Sequence, residues 1–206
     1  MTTSLETALI GDVHGESKAL RDILQIALPK SKRIVFLGDL INRGRNSRQV
    51  LDTILTLEAE ASHEIIVLQG NHDEAFRDVL LGPGRESEFL RMGGATTIQS
   101  YVAPPFRSVF DQLRDAVPAR HSQLLASQKL TWESENVIAR HAYTTGDPDD
   151  KNRFQVAGHS VRTTRLPKIT DGYALIDTGC GTLTDGRLTA FYWPSRTFDQ
   201  VGVGAK

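Results

Sequence analysis

Three short apolar runs, each closed by a glycine and then a polar side chain, constrain the fold of this chain more than any other feature. The polar residues that follow the runs 7–10, 34–37 and 65–68 are Asp12, Asp39 and Asn71. Helical patterns with one apolar face follow the first two runs, over 17–28 and from residue 46 or 47 to about residue 60. Strands that alternate with helices predict βαβ units, and therefore an α/β fold in which helices cover a sheet.

The rest of the chain divides into a helical middle and a strand-rich end. Glycines and prolines interrupt the mostly helical patterns of the middle, which predicts a helical insertion at about 74–130 and no second domain. Four later apolar runs predict an antiparallel or mixed sheet: 136–142, 154–157, 173–176 and 188–193. Asp185-Gly186 lies between the last two runs and predicts a hairpin. A length of 206 residues fits one domain over 1–206.

Composition excludes several classes of protein. Hydrophobic residues make up 39% of the chain, which is enough for a core, and the formal net charge of -1 argues against a broad basic surface for nucleic acid. No apolar run approaches the roughly 20 residues of a membrane helix. The first residues carry no secretory pattern, and the single cysteine, Cys180, fits a reducing compartment. We therefore expect a cytoplasmic protein with no membrane partner and no nucleic-acid footprint, in an oligomeric state that composition does not indicate.

The polar residues at the strand ends carry the chemistry. Open α/β sheets bind ligands beyond the carboxyl ends of their strands, so these residues converge on one edge. The first motif adds His14, and two later strand ends add His141 and His159. Carboxylate, amide and imidazole donors suit Mn, Fe or Zn, and two such ions about 3.5–4 Å apart are a common device for hydrolysing phosphate esters. The two other histidines, His63 and His121, have no such setting, and we expect ordinary surface or capping roles for them.

Five motifs in order resemble those of the calcineurin-like metallophosphoesterases, from about residue 8 to residue 192. They are GDVHG at 11–15, GDLINRG at 38–44, GNHD at 70–73, HA at 141–142 and GH at 158–159. The Asn-Arg-Gly extension at 42–44 and the Asp-Thr-Gly strand end at 177–179 are similar to the phosphoprotein-phosphatase branch. That branch includes bacterial and phage serine/threonine phosphatases and symmetrical dinucleoside tetraphosphatases. The resemblance implies a four-layer sandwich of two mixed β-sheets flanked by helices.

The resemblance also implies a role for each matching residue. Two divalent ions, Mn in the first place with Fe and Zn as alternatives, share Asp39 as a bridging ligand. The six implied metal ligands are Asp12, His14, Asp39, Asn71, His141 and His159. His72 would protonate the leaving group, and Asn42 would orient the imidazole of His72. Arg43 would bind the phosphate, for which its planar fork of donors is suited.

Asn42 departs from the family, whose phosphatases usually have Asp at this position. We expect the amide oxygen of Asn42 to accept the imidazole N–H of His72, so that the orientation of the ring is kept. The amide brings no negative charge, so the imidazolium is less stabilised. This favours a good leaving group, such as the phosphate of a phosphoanhydride, over a serine or threonine alkoxide. The alternative interpretation is that Asn42 is a tolerated isostere.

Two further departures from the family concern the entrance of the predicted phosphate-binding site, here called the mouth. Arg45 replaces a usual proline, and it is either exposed or adds positive charge at the mouth. The segment between His141 and His159 is short for the family, which implies an open site. Arg153 is the single candidate within this segment for a second phosphate-binding arginine.

Three functions remain open at this stage. The first is a dinuclear, serine/threonine phosphatase-like phosphoesterase that hydrolyses phosphate monoesters, such as a phosphorylated protein or peptide, by metal-activated hydroxide. The second is a dinucleoside polyphosphate hydrolase with a nucleotide substrate. The third is a non-catalytic metal-binding homologue, with Asn42 as its first sign of decay. The intact ligand set argues against the third, because buried ligands without their metal carry a desolvation penalty.

Overall fold

Two mixed sheets and seven helices make up the part of the chain that the structure describes. This computed structural model describes residues 6–145 and 153–204. The strands are β1 (Glu6–Ile10), β2 (Ser31–Phe36), β3 (Glu64–Val67), β4 (Thr131–Ser134), β5 (Val137–Arg140), β6 (Phe154–Ala157), β7 (Lys168–Ile169), β8 (Tyr173–Leu175), β9 (Arg187–Trp193) and β10 (Phe198–Gly202). The helices are α1 (Ser17–Ala27), α2 (Ser47–Glu60), α3 (Asn71–Leu81), α4 (Glu86–Arg91), α5 (Gly94–Tyr101), α6 (Val109–Ala116) and α7 (Ala119–Ser127).

The first sheet has the strand order β10-β9-β1-β2-β3. Strand β2 is parallel to both β1 and β3, while β9 is antiparallel to both β1 and β10. The two predicted βαβ units are therefore confirmed as β1-α1-β2 and β2-α2-β3. Their parallel strands bring three of the sequence motifs to one edge of the sheet.

The first sheet is buried on both faces, which explains why its strands have continuous apolar runs. Leu9, Val35 and Leu37 face the second sheet, whereas Ile10 and Phe36 face the helices. All five side chains are fully buried. The central strands are thus fixed by a core on each side, and the loops at their carboxyl ends have a rigid base.

The second sheet has the order β4-β5-β6-β8-β7, and its three central strands β5, β6 and β8 are parallel. This sheet confirms the predicted mixed sheet. Its strands β5 and β8 are somewhat shorter than the apolar runs that predicted them. The last predicted run forms β9, which belongs to the first sheet. The carboxyl ends of β5, β6 and β8 lead to His141, His159 and Asp177.

The hairpin predicted at Asp185-Gly186 is wrong. The strands on either side of it, β8 and β9, belong to different sheets, so residues 176–186 connect the two sheets. Both edges of β8 are occupied by β6 and β7, and both edges of β9 by β1 and β10. Neither strand therefore has an edge free to pair with the other.

The helical middle consists of five helices between residues 71 and 127, and it begins three residues earlier than predicted. Stacked rings of Phe76 and Phe89, 5.4 Å apart, join α3 to α4. The expectation that His121 lies at the surface or caps a helix is wrong, because α7 turns this residue inward and buries it fully. Its Nδ1 lies 2.7 Å from the hydroxyl of Tyr101 and its Nε2 lies 3.1 Å from Oδ1 of Asp52.

None of the helices in the described ranges has the length and apolar character needed to cross a membrane.

Candidate metal centre

The candidate site lies at the carboxyl ends of the parallel strands, where several motif residues adopt a left-handed backbone. Their φ angles range from 44° to 70°, in a region that residues with a side chain rarely populate. These residues are His14, Asp39, Asn42, Arg43 and His159. Such conformations persist where the surrounding structure imposes them, and they cluster at functional sites.

Two glycines let backbone approach these side chains closely. A Cβ atom on Gly70 would lie 2.2 Å from Oδ1 of Asp39, and a Cβ atom on Gly158 would lie 2.1 Å from Oδ1 of Asp12. Neither carboxylate has room to move away, because each is buried in the sheet edge. A glycine before Asn71 and before His159 is therefore a steric requirement of the site.

Four ligand atoms meet at one end of the site. Oδ1 of Asn71 lies 3.0 Å from Nε2 of His141 and 3.1 Å from Nδ1 of His159. The two imidazole nitrogens are 3.1 Å apart, and Nε2 of His141 lies 3.4 Å from Oδ1 of Asp39. Ligands bound about 2.0–2.2 Å from one ion are separated by similar distances.

The chemistry of these atoms fits a cation between them. Nδ1 of His141 donates to the carbonyl oxygen of Leu37 at 2.9 Å, so Nε2 of the neutral ring carries a lone pair. That lone pair faces the amide oxygen of Asn71, which also only accepts hydrogen bonds. Acceptors that face one another are stabilised by a shared cation, and a backbone carbonyl behind a metal-binding histidine is the usual supporting arrangement.

A second group consists of His14, Asp39 and His72, all buried. Nε2 of His14 and Nε2 of His72 each lie 3.8 Å from Oδ2 of Asp39. Nδ1 of His14 contacts the carbonyl oxygen of Ile41 at 3.1 Å, which again directs Nε2 into the site. Asp39 therefore faces both groups, one with each carboxylate oxygen, as the proposed bridging role requires.

Asp12 lies against His159 of the first group, and both of its oxygens accept the backbone N–H of that residue at 3.1 Å. Burial, and then the nearby carboxylates of Asp177 and Asp39, raise the pKa of Asp12. Burial also lowers the pKa of His14 to about 4. Although burial alone would raise the pKa of Asp39, the surrounding histidines outweigh it and lower this pKa. A divalent ion would favour the ionised carboxylates and the neutral imidazoles alike.

Asn42 contacts His72, but with the opposite end of its amide from the one expected. Nδ2 of Asn42 lies 3.0 Å from Nδ1 of His72, while Oδ1 accepts the hydroxyl of Thr97 at 2.7 Å. The expected acceptor, the amide oxygen, is thus occupied by a residue of α5. Nδ2 of Asn42 can only donate, and Nε2 of His72 faces Nη2 of Arg43, which also only donates. A neutral imidazole accepts at one nitrogen only, so the contact with Asn42 favours a proton on Nε2 and the contact with Arg43 favours one on Nδ1.

Arg43 extends over His72, with Nη2 3.3 Å from Nε2 of that ring. Its Nη1 donates to the hydroxyl of Thr182, and its backbone N–H donates to the carbonyl oxygen of Gly93 at 3.4 Å. Thr182 thus holds the guanidinium at the mouth of the site, while Gly93 holds the backbone of Arg43. Arg45, by contrast, is exposed.

The structure does not bring Arg153 to this site. Arg153 precedes β6, whereas His159 follows it, so the two residues lie beyond opposite ends of one strand. Nη1 of Arg153 is 2.5 Å from Oε2 of Glu133 on β4. Residues 146–152, which belong to the short segment before His159, lie outside the described residues.

Three residues at the site were given no role from the sequence: Thr97, Thr182 and Asp177. The first two contact Asn42 and Arg43 from positions that are 55 and 139 residues away in the chain. Nothing in their local sequence distinguishes them from other threonines. Asp177 did stand in a recognisable Asp-Thr-Gly strand end, and that signal could have directed attention to it.

The sequence of this chain is similar to those of known phosphatases. The serine/threonine-protein phosphatase SIT4 of Candida albicans is 30% identical over 101 residues, which are 47% of this chain and 32% of that protein. The serine/threonine-protein phosphatase PP1-1 of Saccharomyces cerevisiae is 29% identical over 98 residues, 47% of this chain and 31% of that protein. The chain thus spans about a third of the length of the curated relatives it matches.

Solved structures resemble this fold over nearly its whole length. A proposed diadenosine tetraphosphatase has a TM-score of 0.66 at 17% identity, covering 98% of this chain and 95% of that chain. A cold-active protein-tyrosine phosphatase of Shewanella has a TM-score of 0.63 at 15% identity, covering 97% of this chain and 82% of that chain. The family profile of calcineurin-like phosphoesterases matches residues 5–189. The chain, with its paired histidine and carboxylate groups at the sheet edge, therefore belongs to the calcineurin-like phosphoesterase family.

Proposed function

We propose that this protein is a dinuclear, metal-dependent phosphoesterase of the serine/threonine phosphatase type, which hydrolyses phosphate monoesters. The observation that carries the proposal is the position of Arg43 beside two groups of candidate metal-binding side chains that share Asp39, one of which also contains the proposed proton donor His72. Phosphoester hydrolysis needs charge neutralisation, a nucleophile and a proton for the leaving group, and this arrangement can supply all three.

Two divalent ions, bound by Asp12, His14, Asp39, Asn71, His141 and His159, would polarise the phosphoryl oxygens and lower the pKa of water. We propose Mn²⁺ because the donors are oxygen and imidazole nitrogen, with no thiolate. Fe and Zn suit the same donors.

The chain itself supplies the remaining parts. The guanidinium of Arg43 presents a planar fork of donors to the phosphate, and Thr182 fixes that fork by accepting one of its N–H groups. Nε2 of His72 is the nitrogen nearer to Arg43, and a proton on it would point to the place where a phosphate bound by Arg43 releases its leaving oxygen. Asn42 fixes the plane of the imidazole through Nδ1.

A dinucleoside polyphosphate is the second candidate substrate, and Asn42 is the observation that favours it. The amide donates to Nδ1 of His72 and brings no negative charge, so it stabilises the neutral ring and not the imidazolium. A neutral imidazole is a weaker acid than an imidazolium. This matters for an alkoxide leaving group and much less for the phosphate released from an anhydride.

The experiment is hydrolysis of an aryl phosphate by the Mn²⁺-loaded chain, with His72→Ala and the matched variant His63→Ala of a partly exposed histidine. We expect turnover that a chelator abolishes, that His72→Ala reduces and that His63→Ala leaves unchanged. No metal-dependent turnover by the wild type would overturn the proposal in favour of a non-catalytic homologue. A comparison of a phosphoserine peptide with diadenosine tetraphosphate then decides between the two substrates.

A further inference from the structure

Asp177 is a buried carboxylate to which the proposed reaction gives no role. Its side chain is 1% exposed, and Oδ1 accepts the backbone N–H of Gly179 at 3.0 Å. Oδ2 is buried and has no hydrogen-bond partner among the residues that the structure describes. Buried carboxylate oxygens are normally paired, because an unpaired one carries a large desolvation penalty. The free oxygen therefore indicates a partner other than these side chains.

The sheet register places Asp177 beside the metal-ligating residues. In the parallel pair β6–β8, Ala157 is opposite Leu175, and the pairing continues as the N–H of Ile176 donates to the carbonyl oxygen of Ala157 at 2.8 Å. Asp177 lies two residues beyond Leu175, just as His159 lies two residues beyond Ala157. His141 follows the neighbouring strand β5. Asp177 thus occupies the third of three adjacent strand ends, the first two of which supply ligands.

The charged groups that act on Asp177 belong to the same candidate metal centre. Burial raises its pKa, the carboxylate of Asp39 raises it further, and Arg43 and His159 oppose the rise. Asp177 in turn is the charged group that raises the pKa of Asp12 most, after burial itself. Three buried carboxylates thus repel one another at the sheet edge. A divalent cation would relieve this repulsion.

We propose that Asp177 is a further carboxylate of the metal centre, which binds a hard divalent cation on the side of Asp12 through its free Oδ2. The inference rests on the metal dependence proposed above, and it adds a residue that the six-ligand set does not contain. Its Oδ1 is committed to the turn at Gly179, so the carboxylate is held in position before the ion binds. The competing interpretation is that Asp177 only stabilises this turn.

The experiment compares Asp177→Asn with Asp171→Asn. Asparagine preserves the shape of the side chain and the acceptor for Gly179, but removes the charge. Asp171 is an exposed carboxylate that precedes β8, at the opposite end of this strand, and provides the matched control. Calorimetric titration with Mn²⁺ measures affinity and stoichiometry. We expect Asp177→Asn to weaken one Mn²⁺ site by about tenfold or more, which is the usual effect of removing a group that supports a metal site, and Asp171→Asn to change neither site.

Thermal unfolding separates metal binding from turn stabilisation. We expect Asp177→Asn to be at least as stable as the wild type in EDTA, because a buried charge is removed, and to gain less stability when Mn²⁺ is added. A variant that is destabilised equally in EDTA and in Mn²⁺, with unchanged affinity, would overturn the proposal. As a second readout, the d–d absorption spectrum of the Co²⁺-substituted protein should change in Asp177→Asn and stay the same in Asp171→Asn; an unchanged spectrum in both also counts against it.

The two proposals fail in different ways. If the wild type binds no divalent ion and hydrolyses no phosphate ester, the proposed function fails. If the wild type binds two ions and hydrolyses the ester, while Asp177→Asn matches its Mn²⁺ affinity, only the role of Asp177 is lost.

Discussion

Nδ2 of Asn42 lies 3.0 Å from Nδ1 of His72, and the hydroxyl of Thr97 holds the other end of the same amide at 2.7 Å. Thr97 donates to the amide oxygen and so directs the amide nitrogen to the imidazole. At Nδ1 the imidazole then faces a donor, and this contact favours a proton on Nε2. One hydroxyl on α5 thereby orients the amide that faces the proposed proton donor.

We predict that Asn42→Asp shifts the leaving-group preference of the enzyme. A carboxylate at this position would accept a hydrogen bond from an N–H at Nδ1 of His72. It would thereby stabilise the imidazolium, which is a stronger acid than the neutral imidazole. Hydrolysis of an alkyl phosphate should therefore increase relative to an aryl phosphate, by about tenfold, a small part of the 10²–10⁴-fold that general acid catalysis supplies. Steady-state rates for the two substrates at one pH measure this ratio.

The control for this prediction is Asn46→Asp, which adds the same charge four residues away at the start of α2. We expect it to leave the ratio unchanged. An equal change in both variants would mean that net negative charge near the site, and not the contact with His72, determines the preference.

We predict that Thr182→Val weakens phosphate binding. Valine has nearly the shape of threonine but cannot accept the N–H of Arg43, so the guanidinium loses this hydrogen bond. A hydrogen bond to a charged group contributes about 1.5 kcal/mol, which corresponds to about a tenfold rise in KM or in the inhibition constant for inorganic phosphate. Thr182→Ser should restore both values, and failure of this rescue would contradict a role for the hydroxyl.

We predict a large difference between two neighbouring arginines. Arg43→Ala removes the guanidinium at the mouth of the site, and kcat/KM should fall by about 100-fold or more, as for other donors that stabilise developing charge. Arg45→Ala removes an exposed guanidinium two residues away and should leave kcat/KM within about twofold, because a lone exposed charge contributes little. Similar losses in both variants would show that general positive charge, and not the fork of Arg43, binds the substrate.

We predict that buried His121 makes the fold less stable in mild acid. Burial lowers the pKa of His121, although Asp52 opposes this, so below about pH 6.5 the unfolded chain binds more protons than the folded chain. The contribution of His121 is therefore constant above its unfolded pKa and turns destabilising as the pH falls below it. Denaturant unfolding of the Mn²⁺-loaded protein at pH 7.5 and pH 5.5 measures the loss. The loss should be smaller in His121→Gln, and an equal loss in both proteins would assign it to other groups.

The strands that the sequence did not predict all lie at sheet edges, whereas β3 is the one predicted strand that does so among the described residues. The central strands β1, β2, β5, β6 and β9 are buried, so each has a strong apolar run. The three strands that were not predicted, β4, β7 and β10, are all edge strands with mostly exposed or half-buried side chains. Their backbones are held by pairing to a neighbour, and pairing leaves little pattern in a sequence.

Within the candidate site, local motifs predicted which residues converge but not which residues support them. Asp39, Asn71 and His72 stand directly after buried strands, so their convergence follows from the sheet. Thr97 and Thr182 reach the site only because a helix and a connection pack against it from elsewhere. The same limit explains why Arg153 was wrongly predicted at the site. It is near His159 in sequence but is separated from it by the length of β6.

The contact between Thr97 and Asn42 connects the helical middle of the chain to the proposed acid–base chemistry. A substitution that shifts α5 moves the hydroxyl that orients the Asn42 amide, and we expect it to change the contact of this amide with His72. We therefore expect substrate preference to be able to evolve through packing residues of α5, while the six proposed metal ligands stay the same.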